Sequence, residues 1–217
     1  FEGRNYNDFR LLWRLIHPSR FVTNDEGKCI LETLFEESKN AGLAIGEHLQ
    51  KNVRLAIESF GNGFLLSTPG LVEELMDNDQ KCLNFYRQVL RVIYRVLFLF
   101  YAEQRKLMPT HSALYAQEYS LSSLRDKIES KLSVDSQHTD IWEGLKVTFK
   151  MVYEGVPELG ITAFNGQLFS TDNISLLNKS QCRNDKLLET IKYMSMFEKE
   201  GLSYRISYVE LSVDEIG

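Results

Sequence analysis

The chain has 217 residues, 43% of them hydrophobic, and its 30 acidic residues outnumber 25 basic ones for a net charge of −5 and a pI near 5.5. That size can bury one substantial core, while the acidic balance excludes a general basic coat for nucleic acid, so a polyanion site must be a local patch. Cys29, Cys82 and Cys182 form no CxxC pair and the four histidines no HxxxH pair, which argues against a disulfide framework or zinc site and fits a reducing cytoplasm.

No apolar run follows Phe1-Glu2-Gly3-Arg4, so no signal peptide is read. Starting on Phe1 and stopping on Gly217, the chain is expected to be a piece of a longer protein. Residues 5–16 place Phe9, Leu12, Trp13 and Ile16 at helical spacing, ended by Pro18. A long helical pattern covers 26–60, in which Gly42 and Gly46 mark either a break or a close helix approach. FGNGF (60–64) reads as a helix-ending turn, and Pro69 opens a helix at 70–77. The strongest helix spans 79–107, closed by Pro109. Others are expected at 120–132, capped by Ser120 or Ser122, at 138–154, and at 184–200, opened by Asn184 or Asp185 and stopped by Gly201. Between the last two, 155–181 is dense in Gly, Pro, Asn, Ser and Thr and reads as irregular structure. The tail alternates Tyr204, Ile206, Tyr208 and Leu211, as in a short strand or extended linker. The fold class is therefore mainly α, with long antiparallel helices. The expected organisation is an α-helical domain over 1–154, an irregular surface segment packed on it over 155–183, and a helix plus linker over 184–217.

YRQVLRVIYRVLFLFYAEQRKLMP (86–109) threads arginines through one of the most apolar stretches. Its longest uninterrupted apolar run, Val96 to Ala102, is far short of the ~20 residues a membrane span needs, so no membrane partner is expected. At about 100° per residue, Arg87, Arg91, Arg95 and Arg105 share a sector of about 80° with Phe98 and Ala102. Opposite lie Val89, Leu90, Ile93, Val96, Leu97, Phe100 and Tyr101. Like charges one turn apart repel, so something negative should face the stripe. Carboxylates such as Glu36-Glu37 or Glu73-Glu74 are available, and DNA phosphates are the alternative. Internal pairing is the reading for Arg91 and Arg95, and phosphate contact stays open for Arg105 and Lys106.

Catalytic signals are sparse. FGNGF follows a helix rather than a strand, unlike a methyl-donor loop. Glu26-Gly27-Lys28, Asp79-Gln80-Lys81 and Glu129-Ser130-Lys131 match half of a metal-dependent nuclease site, but at a frequency that composition explains. There is no GxSxG, P-loop, HExxH or Asn-Pro-Pro-aromatic motif. AFNGQLF (163–169) reads as a turn whose aromatics are anchored in the core.

Several stretches in order carry a resemblance. LWRLIHPSRF (12–21) and ILETLFEESKNAGLAIGEHLQKNVRLAIESFGNGFL (30–65), then YRQVLRVIYRVLFLFYAEQRKLMP with YSLSSLRDKI (119–128), FNGQLF (164–169) and RISYVELSVDEIG (205–217), resemble the helical region of single-chain Type IIG restriction–modification enzymes and related phage-defence DNA adenine methyltransferases. Gln167 stands where that family's pattern has a second glycine. The resemblance implies a non-catalytic helical connector, with a nuclease domain upstream and a methyltransferase domain downstream as its partners. S-adenosylmethionine, and Mg2+ where a nuclease is present, would be cofactors of the parent, with none in this fragment. It transfers no catalytic residue here. Direct contact with the DNA backbone would fall to Arg87, Arg91, Arg95, Arg105 and Lys106, adding affinity rather than sequence readout. A pure protein-interaction scaffold without DNA contact is the alternative.

Overall fold

The structure, a computed structural model, describes residues 6–23, 27–130, 137–164, 166–199 and 201–208. Asn165 of FNGQLF, the end of the expected 120–132 helix, Leu211 and the rest of the RISYVELSVDEIG stretch past Tyr208 lie outside the described residues, as do the Glu36 and Glu37 side chains. The chain is mainly helical, with a two-stranded antiparallel sheet near the C-terminus. It divides into two compact units, 1–47 and 48–217.

In the first unit, α1 (Tyr6–Ile16) leads into a 3-10 turn over Pro18–Arg20, opened by His17, whose ring accepts from the Ser19 N–H. Phe9, Leu12, Trp13 and Ile16 are all more than half exposed. Helix α2 (Ile30–Ser67) opens on Cys29, whose N–H donates to Glu32 Oε2 at 2.8 Å in a capping-box arrangement. It runs through both Gly42 and Gly46.

The second unit takes the remainder of α2, from His48. FGNGF proves to be helix interior, a correction to the expected turn. The glycine serves close approach instead: a Cβ on Gly63 would lie 2.6 Å from Cys182 Sγ and 3.0 Å from Lys186 Cβ. The helix ends at Ser67, and Gly70 at φ +75 precedes α3 (Leu71–Met76). Helix α4 (Asp79–Gln104) is capped by Asn78, whose side chain accepts from Gln80 N and Lys81 N. One side of α4 supplies Val89, Val92, Ile93, Val96 and Phe100 to the core, all buried. Helix α5 (Leu121–Glu129) takes Ser120 rather than Ser122 as its cap, through Ser123 N at 3.0 Å.

Helix α6 (Asp140–Glu154) buries Trp142, which meets Phe60 and Phe64 edge-to-face at 5.6 and 5.3 Å. It stops at Gly155, φ +81, against Ala163. The tract that follows is built of two 3-10 turns, Pro157–Leu159 and Thr171–Ile174, and the short α7 (Ser175–Lys179). Its Ile161, Phe169, Ile174 and Leu177 are buried. Helix α8 (Asn184–Ser195) is shorter than the expected 184–200, because the backbone turns extended at Met196 and continues as β1 (Met196–Lys199). Gly201 at φ +78 turns the chain into β2 (Leu202–Arg205). Helical periodicity in MSMFEKE is outweighed by pairing with β2, which joins Met196 to Arg205 and Phe197 to Tyr204. The Arg205 guanidinium bridges Asp126 and Glu129 of α5, and Tyr208 stacks on Phe100 at 5.6 Å.

Candidate functional site

The arginine stripe of α4 divides into an inner and an outer part. Arg95 has 0% of its surface exposed. Its Nε donates to Leu168 O and its Nη2 to Ser170 O, both at 2.7 Å. The guanidinium also lies over the rings of Phe149 (5.1 Å) and Phe169 (5.8 Å). One turn earlier, half-buried Arg91 donates from Nη1 to Asn173 O at 3.0 Å. Three residues before Arg91, buried Gln88 accepts from the N–H groups of Leu176 and Leu177 at 2.9 and 3.3 Å, satisfying donors at the start of α7. Gln88, Arg91 and Arg95 thus hold the backbone of 168–177 from a single helix face.

This corrects the expectation that something negative, carboxylate or phosphate, must answer the inner arginines. Among the described residues no carboxylate is ion-paired with Arg91 or Arg95; carbonyl dipoles and aromatic faces take that place. The electrostatic consequence shows at Arg95: burial, and then the neighbouring charge of Arg91, bring its pKa down to about 10, and it stays protonated at neutral pH. Arg95, a candidate for DNA contact, has no surface to present to a phosphate. The AFNGQLF tract behaves as read, with Phe169 buried and Phe98 of α4 meeting both Phe164 and Phe169 at 5.4 Å.

The outer candidates are exposed. Arg87 is held by no hydrogen bond or ion pair among the described residues. Arg105 caps the C-terminus of α4, with its guanidinium 5.5 Å from the Tyr101 ring centre. Next to it, Lys106 has φ +58, the only positive φ on a non-glycine residue among those described. Its N–H donates to Glu103 O at 3.1 Å, and the Leu107 N–H to Ala102 O at 2.9 Å. Those two bonds are the Schellman pattern, whose left-handed position glycine usually fills.

Sequence reasoning missed Glu103, one turn from the stripe's end. Buried to 4% exposure, its carboxylate accepts from Leu121 N (2.7 Å), Ser122 N (3.0 Å), Ser122 Oγ (2.7 Å) and Tyr115 Oη (3.1 Å). It satisfies the first two amides of α5 from outside that helix. Burial pushes its pKa up, against the pull of the four donors. Only an isolated acid inside an apolar helix signalled it, and that signal does not name a partner.

Among the described residues, the stretches that resemble cofactor motifs are otherwise engaged. A methyl-donor loop at 60–64 is ruled out by its helical backbone and by Cys182 and Lys186 packed on Gly63. For a divalent ion, Glu129 is engaged by Arg205 and Lys81 by Glu74, and among the described residues no cluster of His, Cys, Asp or Glu could hold one. No helix among them is long and apolar enough to cross a membrane. Compared with protein-family models, curated proteins and solved structures, the chain matches none.

Proposed function

We propose that this chain is a non-catalytic helical connector of a Type IIG-like restriction–modification or phage-defence DNA adenine methyltransferase. It positions the catalytic domains of its parent and touches the DNA backbone through the C-terminal end of α4. The family rests on the ordered motifs of 12–217; S-adenosylmethionine and any Mg2+ belong to other domains of that parent.

The backbone contact rests on one observation. Lys106 keeps a long basic side chain exposed at a left-handed position that glycine would occupy without strain, directly beside exposed Arg105. A non-glycine residue held there costs about 1 kcal/mol, and such strain marks functional positions. Lys106→Gly is accordingly expected to raise stability by about 1 kcal/mol while weakening binding to duplex DNA. Titration at about 50 and about 200 mM salt reads the change as a loss of about 0.9 from the log–log salt slope, one phosphate's worth. Duplex binding that is absent at the lower salt, or insensitive to salt, sinks the DNA contact. It would leave the protein-interaction scaffold, a reading favoured by the internal engagement of Arg91 and Arg95.

A further inference from the structure

A groove of about 380 Å³ opens between α2, the end of α8 and the hairpin, with Lys51, Asn52 and Leu55 on one wall and Lys192, Phe197 and Glu198 on the other. Its backbone geometry follows from a single bond. Ile206 N donates to Ser195 O at 2.9 Å. Alternation along an antiparallel pair then turns the N–H and C=O of Phe197 toward β2, and those of Met196 and Glu198 away from it.

The outward groups of Met196 are already taken. Its N–H reaches Lys192 O, and its C=O accepts from Asn52 Nδ2 at 3.0 Å, so Asn52 does for one residue what a neighbouring strand would do. Glu198, two residues on, turns its N–H and C=O to the same edge, and neither has a partner among the described residues. The charged residues of the lining are Lys51, Lys192 and Glu198, a net charge of +1. Exposed Lys51 has no partner among the described residues, and Lys192 Nζ lies 3.3 Å from Glu198 Oε1.

We propose that this groove binds an extended acidic peptide segment of a partner protein as a strand added to the edge of β1. The peptide main chain pairs with the N–H and C=O of Glu198, an acidic side chain lies between Lys51 and Lys192, and an apolar one rests on Leu55 and Phe197. The unpaired donor and acceptor on one residue single out a polypeptide. A nucleic-acid strand or a small anion could answer the lysines, but neither offers the alternating N–H and C=O that Glu198 needs. This site is separate from the end of α4, and its fate is independent of the DNA reading.

The test uses the 217-residue chain and a fluorescein-labelled hexapeptide of alternating aspartate and valine, followed by anisotropy and by hydrogen exchange at the Glu198 amide. The expected result is saturable binding that protects that amide and weakens about tenfold in Lys51→Glu, with duplex-DNA affinity unchanged. N-methylation of the peptide backbone should abolish binding. Lys51 is exposed at the surface, so far-UV circular dichroism of the variant should match the wild type. The proposal is overturned if a lysine–valine peptide binds as well, if N-methylation has no effect, if oligothymidine competes equally, if the acidic peptide fails to bind, or if the Glu198 amide stays unprotected.

Discussion

Replacing Arg95 with methionine isolates what holds the inner stripe. Methionine keeps an unbranched stem of similar reach, so Arg95→Met removes the charge, both hydrogen bonds and the ring contacts while leaving little void. Hydrogen bonds from a charged donor contribute about 1.5–3 kcal/mol each, so the two to Leu168 and Ser170 amount to about 3–6 kcal/mol. The aromatic contacts with Phe149 and Phe169 add about 1 kcal/mol. Opposing them is the burial of the charge. Lowering its pKa from the ordinary guanidinium value to about 10 corresponds to about 3 kcal/mol, at about 1.4 kcal/mol per tenfold change in proton affinity. The net expectation is a loss of roughly 1–4 kcal/mol for Arg95→Met. Arg95→Ala should lose about 2 kcal/mol more, from the void it leaves. Urea unfolding followed by far-UV circular dichroism and by the fluorescence of buried Trp142 measures both. Because the folded pKa lies below the unfolded one, both states are fully protonated below about pH 10 and the difference between wild type and Arg95→Met should be flat through neutral pH. A variant as stable as the wild type, or a difference that changes between about pH 6 and pH 8, would refute this account of a carbonyl-held charge.

Glu103→Gln turns an amide NH2 toward a set of donors, leaving an amide at the start of α5 unsatisfied, and should cost about 2 kcal/mol in the same assay. With the Glu103 pKa raised above 4.5, the folded state binds its proton more tightly than the unfolded one, so the wild type loses stability as pH rises past 4.5 and the gap to Glu103→Gln narrows. Gly63→Ala drives a methyl into Cys182 Sγ and should destabilise by about 1–3 kcal/mol despite alanine's better helix propensity. Adding Cys182→Ala should recover part of that loss, read as coupling in a double-mutant cycle. A thiol reagent should label exposed Cys82 promptly and reach Cys182, whose thiol is buried and pushed up in pKa, only on unfolding; equal rates would contradict the packing on Gly63.

Local rules carried far along this chain. The 3.6-residue spacing of apolar side chains located most of the helices, α8 opens at Asn184 as expected, and Ser120 caps α5, whereas Gly201, expected to stop a helix, turns a hairpin instead. The aromatics of FNGQLF anchor as their turn chemistry implies. Those signals work because a helix, a cap or a turn is decided by residues within a few positions of one another. Partners of buried polar groups are not local. The carbonyls that hold Arg95 come 73 and 75 residues later, from a tract with no charge pattern to advertise them, and backbone carbonyls carry no side-chain identity to read. The glycine at 63 looked like a turn, because the Cys182 packed against it is 119 positions away in the chain and close only after folding. The same holds for the switch from helix to strand at Met196, which β2 decided by pairing. Sequence alone determined that α4 would be a central helix with a one-sided arginine stripe. Tertiary structure decided that its inner arginines face carbonyls and only its ends face outward, because desolvating a cation obliges it to bond whatever acceptors the fold brings within reach.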